Sequence, residues 1–250
     1  MSGIGFLGVF GAAIGSFLNV VAYRVPRRES LVFPRSRCSS CEAEIAPYDN
    51  IPAVSWLLLR GRCRNCGVRI SIRYPLIEAL TAALFVAVGL EFGAEPELIP
   101  ALVFTAVMIA VAAIDLEHKI IPNRITAPAA VAAVALWAVI DPSVLPENLI
   151  AGAAAGAGML LVAVAYPAGM GMGDVKLSAV MGLYLGKSVA PALFVGFAAG
   201  AIVGLGIVAV RGAEARKQGV PFGPFLALGG IVGLLVGPEI IDWYASVSGL

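Results

Sequence analysis

Charged residues are scarce in this chain of 250 residues. Asp, Glu, Lys and Arg make up 13% of it, against 60% hydrophobic residues and a mean hydropathy of +0.93, where a soluble domain carries roughly 25% charge. A soluble globular domain is thereby excluded, and the composition is that of a polytopic membrane protein. Histidine occurs once, as His118, with no evident partners for a nucleophilic triad. Cysteine occurs four times, always between residues 38 and 66. No glycine-rich nucleotide loop of the soluble type follows a strand. Lys and Arg are missing from two polar turns, residues 91–97 and 141–147.

What charge there is lies in blocks. Ten of the seventeen Lys and Arg residues fall between Arg24 and Arg73 with only four acids, so a net charge of +1 conceals a segment that is positive by six. The positive-inside rule makes this segment cytoplasmic, and the chain then starts outside and crosses inward through its first helix. Residues 3–23 form that helix, long enough at 1.5 Å per residue to span about 30 Å of hydrocarbon. A cleaved signal peptide would carry its bases ahead of the apolar run, whereas here Arg24, Arg27 and Arg28 follow it. Gly11 and Gly15 read as helix packing.

Residues 24–74 are polar and irregular, interrupted by Pro26, Pro34, Pro47 and Pro52. They hold Cys38 and Cys41 as one C-x2-C pair and Cys63 and Cys66 as another, the arrangement preferred by structural Zn²⁺. Two disulfides are the competing reading, which a reducing cytoplasm disfavours. A segment this small buries little core, so a metal staple accounts for its folding. Four thiolates would complete the coordination shell and leave the ion no catalytic position.

Apolar pattern resumes after Pro75. It predicts helices over about 75–90, 98–115, 125–140, 148–167, 175–186, 189–210 and 225–245, the 175–186 segment being marginal for a span. With the first helix this makes an all-α polytopic protein of about eight transmembrane helices, or six or seven if short ones are re-entrant. The zinc domain sits between helices 1 and 2. The expected domains are 1–23, the first helix; 24–74, the cytoplasmic domain with its four zinc-binding cysteines; and 75–250, the catalytic membrane domain. Lys and Arg between residues 211 and 217 fit the inside only if the short segment crosses. The series Gly196, Gly200, Gly204 and Gly229, Gly233, Gly237 read as tight helix packing.

Two acids end apolar runs on the same face by this count. Asp115 closes the run 101–114, and Asp174 follows Gly171-Met172-Gly173. Acids in such settings are expensive and usually functional. They stand 59 positions apart, so only two helices packed side by side bring them together. Paired carboxylates share a proton, and one member takes a proton from water while the other hydrogen-bonds a scissile carbonyl. Taken alone, Asp115 reads equally well as a helix-end acid partnered by Lys119 or Arg124. Gly171 and Gly173 are expected to permit positive φ and close approach of a substrate backbone, with Lys176 as a neutralising neighbour. Glu78 competes for a catalytic role, but the first turn of a helix explains it. A proton-coupled transporter using paired acids, and a zinc-ribbon membrane scaffold, are the alternatives from other classes.

Several blocks together resemble one family. Gly15-Ser16-Phe17-Leu18-Asn19 through Arg24-Val25-Pro26, Asn50-Ile51-Pro52, Arg60-Gly61-Arg62-Cys63, Arg73-Tyr74-Pro75-Leu76-Ile77-Glu78, Ile114-Asp115 with Ile121-Pro122-Asn123, Gly171-Met172-Gly173-Asp174, and Pro221-Phe222-Gly223-Pro224 resemble the bifunctional type IV prepilin leader peptidases and N-methyltransferases, intramembrane aspartic proteases of the Gly-x-Gly-Asp type. One mild departure is Ser39-Ser40 between the first cysteines, where relatives often carry a proline. The resemblance implies Asp115 and Asp174 as catalytic acids. It implies prepilin or pseudopilin substrates, cut after a glycine at the cytoplasmic face, and methylation of the new amine by S-adenosylmethionine. It also implies a multi-pass protein of the bacterial cytoplasmic (inner) membrane, with membrane lipid and no nucleic acid among its partners.

Overall fold

A computed structural model describes residues 2–166, 169–212 and 220–248. Among these residues there is no sheet. The elements in order are α1 (Ser2–Arg27), a 3-10 turn (Pro47–Asn50), α2 (Val54–Leu58), α3 (Arg73–Phe92), α4 (Leu98–His118), α5 (Asn123–Ile140), α6 (Leu145–Ala165), α7 (Met172–Leu185), a second 3-10 turn (Gly186–Ser188), α8 (Val189–Arg211) and α9 (Gly223–Ser248). Among the described residues seven apolar stretches are long enough to cross a membrane, with 172–210 counted as one. The expected eight counts α7 and α8 separately. The helix break between them is Gly186, whose φ of +55° suits glycine. The basic stretch after Arg211 that entered the topology count lies outside the described residues.

The chain divides into two compact units, Met1–Leu98 and Ile99–Leu250. In the first, α1 packs on α3 through glycines. A Cβ at Gly11 would lie 2.9 Å from the Ala82 Cα, and one at Gly15 would lie 2.7 Å from the Glu78 Cα, so only glycine lets these backbones meet. Asn19, buried in the same seam, donates from Nδ2 to the Tyr74 carbonyl at 3.1 Å.

Between α1 and α3 the cysteine segment contains the same small hairpin twice. The Cys38 amide donates to the Ala43 carbonyl, the Glu42 amide to the Cys38 carbonyl, and the Ile45 amide to the Ser36 carbonyl. Cys63, Gly67 and Ile70 repeat these bonds to Val68, Cys63 and Gly61. Each turn needs one residue at positive φ, Glu42 at 56° and Gly67 at 72°. A bidentate pair ties the second hairpin to the first 3-10 turn, with Arg64 donating to the Asp49 oxygens at 2.8 and 2.6 Å. The Arg64 guanidinium holds the Asp49 carboxyl below the usual carboxylate range.

In the second unit α7 is short, 14 residues or about 21 Å, and it packs against α5, α6, α8 and α9. A helix so enclosed takes its stability from its neighbours and need not match the hydrocarbon thickness by itself. The α6–α7 crossing is closed by Gly152 and Gly182, where a Cβ on Gly182 would lie 2.5 Å from the Gly152 nitrogen. Helix α4 reaches the same core through large side chains: Phe104 and Met108 are fully buried, and the Phe104 ring stands 5.2 Å from that of Tyr184. Tyr184 donates its hydroxyl to the Ala129 carbonyl at 3.0 Å, satisfying the one polar atom it buries. Of the six glycines in the two four-residue series, four pack between α8 and α9 and Gly237 packs against Ser188 of the second 3-10 turn, whereas Gly204 faces open space.

Candidate active site

Helix α4 ends at a left-handed turn. Lys119 has φ of 53°, and its amide closes on the Asp115 carbonyl at 2.9 Å. This fixes the backbone of Asp115 one turn from the helix end. Its side chain is 5% exposed, and Oδ2 accepts the Gly223 amide at 2.8 Å. Gly223 is the first residue of α9, so the acid ending one helix satisfies an orphan donor at the start of another, 108 positions later.

Asp174 is the third residue of α7 and 8% exposed. Its Oδ2 reaches back to the Gly171 amide at 3.1 Å, the carboxylate half of a capping box. Ser178 donates its hydroxyl to the Asp174 carbonyl at 2.9 Å, holding the same turn. Asp115 and Asp174 lie close enough for their charges to act on one another. Two acids distant in sequence are thus brought into one neighbourhood, each with one oxygen engaged by a backbone amide.

The segment between α4 and α5 supports the α7 side. A Cβ on Gly173 would stand 2.9 Å from the Ile121 Cβ, so this glycine admits Ile121. Lys176 donates to Asn123 Oδ1 at 3.0 Å, joining the first turns of α7 and α5. The expectation of positive φ at the glycines is corrected here. Gly171 has φ of −84°, and Gly173 lies within the first turn of α7 and is not among the positive-φ residues. Helical pairing of the Gly171–Asp174 turn requires ordinary angles there, and the small residue serves close packing.

The reading of Glu78 is corrected as well. It lies beyond the first turn of α3 and is 8% exposed. Its Oε2 accepts the Ala53 amide at 2.7 Å. Ala53 occupies a tight turn with φ of 57° and ψ of −42°, closed by the Val54 amide on the Pro52 carbonyl at 2.6 Å. Such γ-turns are rare and strained, and Glu78 holds this one in place. His118 forms no triad: its Nε2 stands 3.9 Å from the Glu117 carboxylate, outside hydrogen-bond range. An open groove of about 450 Å³, lined by Glu147, Lys187 and apolar residues of α6 and α8, lies at the far end of α6 from Gly171.

The four sulfurs of Cys38, Cys41, Cys63 and Cys66 lie within 4.8 Å of one another, and all four are free thiols. Cys38 and Cys66 Sγ are 3.8 Å apart. Tetrahedral zinc with Zn–S of about 2.3 Å needs sulfurs about 3.8 Å apart, so the donor set fits a closed metal site. The amides of Cys41 and Ser40 lower the Cys38 thiol to about 6, as a metal-ligating thiolate requires. The Val68 amide alone would lower Cys66, but burial and the thiols of Cys41, Cys63 and Cys38 push it up to about 11. A cation at the cluster would displace the thiol protons that remain.

What sequence reasoning missed is Gly223. In the sequence its block carries only the family resemblance, and the Pro221-Phe222-Gly223-Pro224 spacing is the available signal of a helix start.

Comparison with known proteins gives the family. Residues 9–92 match the model described as Bacterial Peptidase A24 N-terminal domain, and residues 102–205 match that of the Type IV leader peptidase family. The prepilin leader peptidase/N-methyltransferase of Bacillus subtilis (strain 168) is 39% identical over 250 residues, covering 98% of this chain and 99% of that protein. Proteins of the same description from Aeromonas hydrophila and Legionella pneumophila are 37% and 33% identical, covering 94% and 95% of this chain and 91% and 93% of their own. No solved structure matches. With full-length relatives at this identity, the chain belongs to the type IV leader peptidase family.

Proposed function

We propose that this protein is a membrane aspartic endopeptidase that removes the basic leader of type IV prepilins or pseudopilins after a glycine, and N-methylates the residue exposed. The observation that supports the peptidase reading is that Asp115 and Asp174 are both buried, each with one oxygen held by a backbone amide, and lie within range of one another's charge. The family membership and the names of the relatives support the substrate class and the second activity.

In this reading the ionised member of the pair takes a proton from water, whose oxygen attacks the scissile carbonyl. The protonated member hydrogen-bonds and then protonates the carbonyl oxygen. Collapse of the tetrahedral intermediate breaks the C–N bond, and the amine leaves with a proton returned by the pair. The Gly223 and Gly171 amides hold the carboxylates in orientation through both steps. Lys176, Asn123 and Ile121 hold the start of α7 against α5. The substrate strand is extended where it is cut, because helical backbone groups are already paired with one another.

Cys38, Cys41, Cys63 and Cys66 would hold Zn²⁺, which would supply structural cross-linking only. S-adenosylmethionine would supply the methyl group, but among the described residues there is no strand-to-helix glycine loop to cradle it. The domains are 1–23, 24–74 and 75–250, in the inner membrane, with the N-terminus outside and the acids at the cytoplasmic face. The arginine excess of residues 24–73 supports that orientation.

The test is cleavage of a peptide with a basic leader, a glycine and an apolar helix by the protein in liposomes, read by mass spectrometry with and without S-adenosylmethionine. A cut after the glycine that disappears in Asp115→Asn and in Asp174→Asn, with an added methyl when the donor is present, is the expected result. Normal cutting by either variant removes that acid from the mechanism. No cutting of several such substrates by folded protein favours a transporter or scaffold.

A further inference from the structure

We propose that the turn following α1, residues 30–34 with the arginines on either side, is an anchor that seats this protein on anionic phospholipid. Leu31, Val32 and Phe33 are all exposed, Val32 at 70% and Phe33 at 73%. Three consecutive apolar side chains in water call for a cover. The proposal is independent of the peptidase reading.

The turn is built rather than loose. Helix α1 ends in a Schellman motif: the Glu29 amide bonds the Arg24 carbonyl, the Arg28 amide bonds the Val25 carbonyl, and Arg28 takes φ of 60°. This motif reverses the chain. Arg24, buried one turn before the helix end, then donates to the Ser30 carbonyl at 2.8 Å and the Pro34 carbonyl at 2.5 Å. The Ser30 hydroxyl accepts the amides of Val32 and Phe33, each at 3.3 Å. The apolar tip is therefore folded back beside the last turn of α1. Because α1 is one of the apolar stretches long enough to cross a membrane, the tip comes to the level where that helix leaves the hydrocarbon.

Charge identifies the occupant. Arg27, Arg28, Arg35 and Arg37 are exposed around the tip, and Glu29 is the one acid between residues 24 and 37. Arg27 lies over the Tyr23 ring at 3.9 Å, and Arg37 stands 3.9 Å from Glu44, both at the surface. Orientation in the membrane accounts for the number of arginines but not for an apolar tip set among them. A basic leader peptide would be repelled here. Guanidinium groups beside apolar side chains match a phospholipid whose phosphate carries uncompensated charge and whose acyl chains lie just below.

The experiment places the photoreactive residue benzoylphenylalanine at Phe33 in the full-length protein, in nanodiscs of equal phosphatidylglycerol and phosphatidylcholine. Mass spectrometry identifies the cross-linked partner. The expected product is a lipid adduct enriched at least about fivefold for phosphatidylglycerol, the preference given by a single arginine near the surface. Parity between the lipids is expected when Arg28→Gln and Arg35→Gln are combined. In the unmutated arginine background the enrichment is expected to shrink as salt rises, which keeps the test valid if the arginine variant does not fold. Equal adducts of both lipids, enrichment indifferent to salt, or cross-links to a second copy of this chain instead of lipid would each overturn the proposal.

Discussion

Gly223→Ala tests the geometry around Asp115 more sharply than removal of the acid. A Cβ at this position would stand 2.8 Å from Asp115 Oδ2 and 3.0 Å from its Cβ and Cγ, where ordinary contact begins at 3.4 Å. The carboxylate must therefore retreat by roughly half an ångström and turn from the amide that now holds it at 2.8 Å. A displacement of about 1 Å in a catalytic group can cost about 100-fold, so a loss of about 10- to 100-fold in kcat is expected, equivalent to about 1.4–2.7 kcal/mol. KM should stay within about twofold, because the proposed role of this glycine is to hold an acid and not the substrate. The control is Gly230→Ala in the same helix, whose Cβ meets the side-chain ends of Phe104, Met108 and Met181 and leaves Asp115 untouched. Steady-state cleavage in liposomes, with thermal unfolding of each variant, reads the outcome. Gly223→Ala with wild-type kcat, in an enzyme that Asp115→Asn inactivates, would refute the positioning role.

Chelation, or Cys63→Ser, should reduce bound zinc from about one per chain to none and open residues 36–70 to protease nicking; atomic absorption and peptide mapping check this, and a metal-free protein that resists nicking would contradict it. Ala53→Gly should stabilise the cysteine segment by about 1 kcal/mol, since glycine relieves the strain of φ 57°; a lower unfolding midpoint would show that the alanine was not strained. Gly15→Val should cost about 1–3 kcal/mol by forcing α1 from α3, while Gly204→Ala, with nothing within 4 Å of its Cβ, should be neutral or slightly stabilising in the same detergent melt.

Much of the architecture was legible because lipid simplifies the code. Apolar runs predicted α3 as 75–90 and α4 as 98–115, and the helices extend only a turn or less beyond, to Arg73–Phe92 and Leu98–His118. The cysteine spacing announced a cluster whose sulfurs do converge. Its internal repeat was also readable, as Cys38 to Ile45 and Cys63 to Ile70 share the pattern C-x2-C-x3-I. Local rules failed where a side chain answers a distant backbone. Glu78 read as a helix-dipole acid because its partner, the Ala53 amide, is 25 positions away. Gly173 read as a positive-φ hinge because the Ile121 side chain that excludes a Cβ does not show in a composition of glycines.

The two acids differ in how they are held, and the difference has a physical consequence. Asp174 is held by the amide three residues before it, so α7 orients its own carboxylate as soon as its first turn forms. Asp115 depends on an amide 108 positions away, available only when α9 has docked. That docking rests on small residues: Gly229 lies against the Ala192 carbonyl and the Gly196 nitrogen, and Gly233 against the Ser188 carbonyl. Such packing gains its energy from close backbone approach and has no apolar transfer to reinforce it inside a membrane. The geometry at Asp115 is therefore coupled to the α8–α9 interface, while that at Asp174 is not. In a chain whose proposed chemistry needs both carboxylates at once, assembly of the last helix completes the site.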